Sequence, residues 1–387
     1  MIAFENTEIA FKNKTDRDLK RAYRLFKLMR KSWLVRSGEV ASKIAFALRL
    51  PVSKLIRNTI FRQFCGGTSI TDCKYEIEKL SKFGIGTILD YSVEGKLTEQ
   101  DLDKTRDEII RTIRLAEKNK DIPFAVFKPT GLARVDLLEK MSSDKNNLNA
   151  IEQYEIIAFI ARVDSICQAA SDAKIKLFID AEDYSFQTTI DHLAEKMFQK
   201  YNQSNVIIYT TVQMYRHDRL EYLGLIYDAA MKGNYKVGVK LVRGAYMEKE
   251  RERADKNNYA SPIYNCKEDT DSAFNLALEF LIKRIETFAI CAGTHNEEST
   301  NMLIAFMEQE GINSNDARVY FAQLLGMSDH ITYNLAHNKF NVVKYVPYGP
   351  IKEVMPYLLR RAQENSSVAD QTSRELKLIE KELLRRK

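Results

Sequence analysis

Gly84-Ile85-Gly86-Thr87-Ile88-Leu89-Asp90 places two glycines at the head of a short apolar segment that ends on a carboxylate. A dinucleotide-binding sheet would show G-x-G-x-x-G after its first strand, where a bare backbone lets a pyrophosphate approach a helix N-terminus. Here the third glycine position is Leu89, and the glycines open the segment instead of following it. No P-loop appears elsewhere. An open doubly wound sheet of the nucleotide-binding kind is therefore not indicated.

Outward from this point, short apolar or β-branched segments recur at 85–89, 123–127, 175–179, 206–210, 237–242, 288–291, 318–321 and 342–346. Longer stretches with helical spacing, such as 98–118 and 151–173, lie between them. Strand alternating with helix implies parallel βαβ units, and eight such units fit one closed (β/α)8 TIM-like barrel. Residues 7–82 carry helical periodicity without a strand, interrupted at Cys65-Gly66-Gly67-Thr68. The expected organisation is a helical arm over 1–83, a barrel over 84–365 and a charged tail over 366–387. The Lys377–Lys387 end is amphipathic, and its simplest role is a solvated surface.

At 387 residues, 45% hydrophobic and 29% charged, the chain can bury a full core. No apolar run approaches the length of a membrane-spanning helix. The start, Met1-Ile2-Ala3-Phe4-Glu5, meets an acid too early for a secretory apolar region, so the expectation is a cytoplasmic protein. Residues 1–62 hold 15 Lys/Arg against 5 Asp/Glu, an excess of 10 within a net charge of +6, so the remainder is acidic by 4. The basic residues concentrate between Lys20 and Arg36, interleaved with Tyr23, Phe26, Met29 and Trp33. Such a helix either packs its apolar side on the main domain or lies peripherally on an anionic inner-membrane surface; nucleic acid is not expected. Five scattered cysteines without a CxxC pair argue against a disulfide frame or zinc site, and no metal is expected.

In a barrel, functional groups belong at the C-terminal ends of the strands. The polar residues at those positions are Asp90 with Glu94, Lys128, Asp180 with Glu182, Gln213, Arg243, Thr294-His295-Asn296 and Tyr345. Tyr357-Leu358-Leu359-Arg360-Arg361-Ala362-Gln363-Glu364 follows the eighth strand directly. On a helix Tyr357 meets Arg361, and Arg360 meets Glu364. Adjacent guanidiniums suit two-point capture of a carboxylate, although a double arginine is also an ordinary solvated surface. Gly244, after Lys240-Leu241-Val242-Arg243, permits close backbone approach to a flat or phosphate-bearing ligand, or simply makes a turn. Asn296 or Thr294 caps a helix starting at Glu297, which leaves His295 without a structural explanation. There is neither an HExxH nor a GxSxG motif.

Leu89-Asp90 with Glu94, Phe127-Lys128, Ile179-Asp180-Ala181-Glu182, Lys240 through Tyr246, Thr294-His295-Asn296, Leu324 through Met327 and Tyr345 through Glu364 occur in an order that resembles the proline dehydrogenase family from about Gly84 to Glu364. Lys240 and the Phe64-Cys65-Gly66-Gly67 region look closer to the monofunctional, mitochondrial-type enzymes than to the large bifunctional bacterial ones. The resemblance implies a distorted barrel holding FAD, the eighth helix over the active site, and oxidation of L-proline to 1-pyrroline-5-carboxylate by hydride transfer to flavin N5. It implies that Arg360 and Arg361, assisted by Lys128, hold the carboxylate, and that Tyr345, Tyr357 and Leu324 wall the ring. Glu94 is similar to the acid that pairs with an arginine of the eighth helix when the site closes. Asp180 resembles the active-site carboxylate, and Lys240 the cation beside the isoalloxazine. Ala181, Gln213, Arg243, Gly244, Ala245, Thr294 and His295 match cofactor contacts. The implied electron acceptor is a quinone. Hydroxyproline oxidation is the alternative within the class, disfavoured by the bulk of Tyr345; a flavin-free barrel gripping or cleaving a small anion is the alternative outside it.

Overall fold

The computed structural model describes residues 2–31, 33–35, 37–38, 41, 48, 52–93, 95–143, 147–367 and 369–387, without the side chains of 366–372. Glu94 and Arg36 lie outside the described residues.

Eight parallel strands close into a barrel in sequence order: β1 Gly86–Tyr91, β2 Phe124–Phe127, β3 Lys176–Ile179, β4 Ile208–Gln213, β5 Val237–Val242, β6 Phe288–Gly293, β7 Val319–Leu324 and β8 Val342–Tyr348. All eight expected segments contain a strand. The largest offset is β4, which begins at Ile208 because the buried Asn202 side chain holds the backbone before it. Its Oδ1 accepts from the amides of Ile207 and Ile208 at 3.0 and 2.8 Å, and its Nδ2 donates to Ile208 O at 2.8 Å. A side chain that satisfies consecutive backbone groups substitutes for a ladder there.

The chain forms two compact units, Ile88–Ala322 and Met1–Thr87 with Gln323–Lys387. In the first, the strand register aligns Asp180, Thr211, Lys240 and Cys291 across β3 to β6, following Ile179↔Thr210, Thr211↔Lys240 and Lys240↔Cys291. One layer nearer the strand starts, aromatic rings fill the interior. Phe124 stacks on Phe178 at 4.4 Å, while Tyr209 and Tyr320 meet Phe124 edge-on at 5.6 and 4.8 Å. Offset and edge-on rings add to the burial of their area. Gly238 makes room for one of them, since a Cβ there would lie 2.4 Å from the Tyr209 ring. Lys176 lies over the Phe124 and Tyr320 rings at 5.4 and 4.4 Å and donates to Ala317 O at 3.0 Å. Burial pulls its ammonium down to about 8.

The surrounding helices begin where the sequence supplies caps. Thr98 Oγ1 accepts from Asp101 N at 3.2 Å to start Glu99–Glu117. Asn149 and Glu152 form a reciprocal capping box for Ala150–Ala173. Asn296 Oδ1 accepts from Ser299 N at 2.9 Å to start Glu297–Gln309.

In the second unit the helix Asp16–Met29 is opened by a Thr15/Asp18 capping box and buries Leu19, Ala22, Phe26 and Met29. These join Phe61, Phe64, Leu358, Leu376, Leu378 and Ile379 in one core cluster. Of the two roles open to the basic helix, packing of its apolar side within the protein is observed, while Leu28 and Trp33 stay exposed. The C-terminal helix Ala369–Arg385 corrects the expectation of a solvated tail. Leu376, Leu378 and Ile379 are buried, and so is Glu382, which accepts from Arg385 Nε at 2.8 Å and Arg386 Nε at 2.6 Å. Despite its burial, those hydrogen bonds pull the Glu382 carboxyl down to about 2. The apolar periodicity of the tail faces a partner helix of the same unit. The described residues of 7–82 form helices and turns without a strand, as expected, with one parallel bridge between Gly67 and Tyr348. Among the described residues no helix is long and apolar enough to cross a membrane.

Gly238→Ala is expected to destabilise the barrel by about 1–3 kcal/mol, because the added methyl must displace the Tyr209 ring or the strand beneath it. The thermal unfolding midpoint measures this; an unchanged midpoint would show that the interior has slack.

Candidate active site

Four charged side chains lie together at the C-terminal ends of the first strands in the unit Ile88–Ala322. Asp90 ends β1 and is fully buried; Lys128 follows β2, Asp180 follows β3, and Lys240 sits within β5, all nearly excluded from solvent. Lys128 Nζ donates to both Asp90 oxygens at 3.0 and 2.9 Å and lies 3.8 Å from Asp180 Oδ2. Lys240 Nζ donates to Asp180 Oδ1, which also takes a 3.4 Å hydrogen bond from Thr211 Oγ1. Ser92 Oγ donates to Asp90 Oδ2. The Lys240 ammonium stands 5.0 Å from the centre of the Phe178 ring, so the aromatic layer forms the floor under the charges. Two cations and two anions alternate, so each charge has an opposite charge beside it at a depth where an isolated ion would be costly.

Beside this group, Thr130 presents its amide and hydroxyl to the two oxygens of Glu182 at 3.0 and 2.5 Å, and Gln187 Oε1 accepts from Glu182 N at 2.9 Å. The turn after β3, which includes Ala181, is thereby tied to the turn after β2. Gln213 ends β4, and its Oε1 is buried with no hydrogen-bond partner among the described residues.

A second set surrounds the end of β5. Arg243 donates to Asp271 Oδ1 at 2.6 Å, Thr294 Oγ1 at 2.7 Å and Ser299 Oγ at 2.9 Å, with its guanidinium 4.4 Å from the Phe274 ring centre. Burial lowers its pKa, and Asp271 opposes that shift without cancelling it. Thr294 Oγ1 in turn accepts from Asn296 N at 3.1 Å, so His295 is carried on a turn braced at both sides. Gly244 has φ +137°, a conformation that side chains rarely adopt, and a Cβ there would lie 2.6 Å from the Tyr215 ring. Its close neighbour is therefore a ring of this chain. Ala245, just beyond, is exposed.

The residues assigned to substrate, apart from Lys128, belong to the other unit. Tyr345 lies in β8, and its carbonyl accepts from Leu325 N at 2.9 Å, beside Leu324 at the end of β7. The helix Met355–Ser367 carries Tyr357, Arg360 and Arg361. Tyr357 and Arg361 meet as their spacing predicts, with the guanidinium 5.4 Å from the ring centre. Arg361 Nη1 also pairs with Glu364, three residues on. Arg361 is 6% exposed, and its Nε–H has no acceptor among the described residues. Arg361 is therefore not a solvated surface residue, while Arg360 is half-buried.

Thr211, Tyr215, Phe178, Asp271 and Ser299 were not among the sequence candidates. Thr211 could have been found from β alternation, two positions before Gln213. Asp271 and Ser299 lie within helices and carry no local signal. Asp90 and Glu182 were marked as strand ends without a role, and the structure gives each an ion-pair or hydrogen-bond partner.

Asp90→Asn should cost about 3–5 kcal/mol, because it leaves the Lys128 ammonium buried beside an amide. Pairing it with Lys128→Met should recover much of that loss. Denaturant midpoints of both variants measure the difference; equal midpoints would mean the pair is not coupled.

A proline dehydrogenase family model matches residues 73–374. Proline dehydrogenase 1, mitochondrial, of Dictyostelium discoideum is 33% identical over 382 residues, covering 88% of this chain and 67% of that protein. The carbapenem antibiotics biosynthesis protein CarD of Pectobacterium carotovorum subsp. carotovorum is also 33% identical, over 327 residues, covering 84% of this chain and 83% of its own. Proline utilization A from Bdellovibrio bacteriovorus, solved after inactivation by N-propargylglycine, shares the fold with a TM-score of 0.71 at 17% identity. That likeness covers 95% of this chain and 40% of the solved one, so this chain spans about two fifths of that protein. With the model matching most of its length and the barrel closed as described, this chain belongs to the proline dehydrogenase family.

Proposed function

We propose that this protein oxidises L-proline to 1-pyrroline-5-carboxylate with FAD as its cofactor. The observation that carries the proposal is the buried Arg361, which retains an N–H without an acceptor among the described residues and is next to Arg360 on one helical turn. A buried guanidinium with an unspent donor suits a ligand that brings an anionic oxygen, and a planar fork fixes a carboxylate in two directions. Family membership makes an amino acid the natural bearer of that carboxylate.

The strand-end residues are compatible with a flavin. Gln213 Oε1 is a buried acceptor without a donor among the described residues, and Lys240 and Arg243 supply positive charge. Ala181, Gln213, Arg243, Gly244, Ala245, Thr294 and His295 are assigned to holding it. When bound, FAD would supply the acceptor for the hydride that leaves proline Cδ, the ring carbon that becomes the C=N carbon of the product.

The chain's own residues do the rest. Arg360 and Arg361, with Lys128, hold the carboxylate, which fixes the ring and so the direction in which its Cδ–H points. Tyr345, Tyr357 and Leu324 wall the pyrrolidine ring and exclude water. Asp180 holds the Lys240 ammonium in place, so a fixed positive charge stands where negative charge develops. Glu94 is assigned to an ion pair with an arginine of the last helix, which would gate the site. A quinone is the proposed electron acceptor, and the exposed face of the basic helix, with Leu28 and Trp33, the proposed contact with an anionic membrane surface. An arm over 1–83, a barrel over 84–365 and a tail over 366–387 remain the proposed division of labour.

Purified protein should be yellow and should bleach anaerobically on addition of L-proline. Faster bleaching by hydroxyproline would move the substrate within the class. A colourless protein that stays inert after FAD is supplied would favour anion binding without a flavin. Arg361→Met should raise KM for proline by at least about tenfold while bound flavin stays constant, since Arg361 is assigned to the substrate and not to the flavin. Unchanged KM would count against the anchoring role.

A further inference from the structure

The turn that follows β7, Leu324 to Asp329, is held from three directions within its own unit. From β8, the fully buried Lys344 donates to Leu324 O at 3.2 Å and to Met327 O, and pairs with Asp329 Oδ1 at 2.9 Å. From the N-terminal segment, Lys14 pairs with Asp329 Oδ2 at 3.3 Å, and Gln63 Nε2 donates to Gly326 O at 2.8 Å. From the C-terminal helix, Glu375 accepts from Ser328 N. The backbone itself needs this support. Gly326 has φ +77°, and a Cβ there would lie 2.1 Å from Gln63 O; Ser328 has φ +50° without being glycine. Left-handed backbone at a non-glycine residue costs free energy and persists only where its surroundings fix it.

The same turn touches what is assigned to the amino acid. Leu324 is its first residue, and Leu325 N bonds to the carbonyl of Tyr345, the neighbour of Lys344. Met327 Sδ lies 3.8 Å from Asn365 Nδ2, which donates to Arg361 O at 2.7 Å. Asp329 is the centre of the arrangement. It is buried, yet Lys344 and Lys14 hold its carboxyl well below the usual range. A buried carboxylate with a lysine on each oxygen has one orientation available, and that orientation fixes where both lysine-bearing segments sit.

We infer that Lys14 and Lys344 are positioning residues for the substrate: acting through Asp329, they set the places of Leu324 and Tyr345, so the N-terminal arm helps define the proline pocket. This rests on the assignment of Leu324 and Tyr345 to the substrate. It also gives the arm a role that does not depend on any membrane.

The test compares the flavin-loaded wild type with Lys14→Met, Lys14→Arg and Gln63→Ala, measuring KM and kcat for L-proline, the ratio of kcat/KM for proline over hydroxyproline, and flavin per chain. Lys14→Met should raise KM about fivefold or more with kcat changed less than about twofold, lower the proline preference, and keep its flavin. Lys14→Arg should restore KM to within about twofold of wild type, since it returns the charge to Asp329. Gln63→Ala removes a neutral bond to the same turn and should raise KM in the same direction by a smaller factor, which keeps the inference testable if Lys14→Met does not fold. Unchanged KM and substrate ratio in both Lys14→Met and Gln63→Ala would overturn the inference. So would a fall in kcat together with loss of flavin, since that reports general loosening. A wild type that does not react with proline at all overturns the assigned reaction itself, and is told apart because it precedes any variant.

Discussion

Lys128, Lys240, Asp90 and Asp180 are buried together, and none of them could stay charged there alone. Removing an ion from water costs several kcal/mol, which only a close counter-charge and further hydrogen bonds recover. The alternation Asp90–Lys128–Asp180–Lys240 meets that requirement through strand register, since neighbouring parallel strands bring their ends side by side. The barrel thus does more than expose polar residues at one end. It assembles a neutral group of fixed charges whose positions are set by the ladder, so little reorganisation is left for a reaction to require.

What lies beneath the charges matters as much. Phe124, Phe178, Tyr209 and Tyr320 close the interior below them, with Gly238 giving up its side chain so that Tyr209 fits. Apolar rings under the ammonium of Lys240 keep water from that side, and the quadrupole of Phe178 favours the cation above it. Stability and electrostatics here share one cause, the filling of a small barrel with flat side chains.

The other unit follows a different logic. Its helices supply caps and apolar stripes that pack Phe26, Phe64, Leu358 and Ile379 into a common core, and several of its charges converge on a single turn. Asp329 takes a lysine from β8 and another from the N-terminal segment, while Glu375 reaches the next amide from the C-terminal helix. Segments more than three hundred residues apart in sequence are joined there, which explains why the termini bury side chains that their composition alone would leave in water.

The eight strands were legible because hydrophobic segments of the right length alternate with helical periodicity, and Gly84-Ile85-Gly86 lacks the third glycine of a nucleotide fold. The strand-end rule then found Asp90, Lys128, Asp180, Glu182, Gln213 and Arg243, since a barrel can use only one face for chemistry. Helical spacing likewise brought Tyr357 and Arg361 together. Partners could not be read in the same way. That Arg243 takes Asp271 and Ser299, that Lys128 pairs with Asp90, and that the tail packs on the Asp16–Met29 helix all depend on contacts between distant residues. Local periodicity encodes which way a side chain faces, and only the closed chain determines what it meets there.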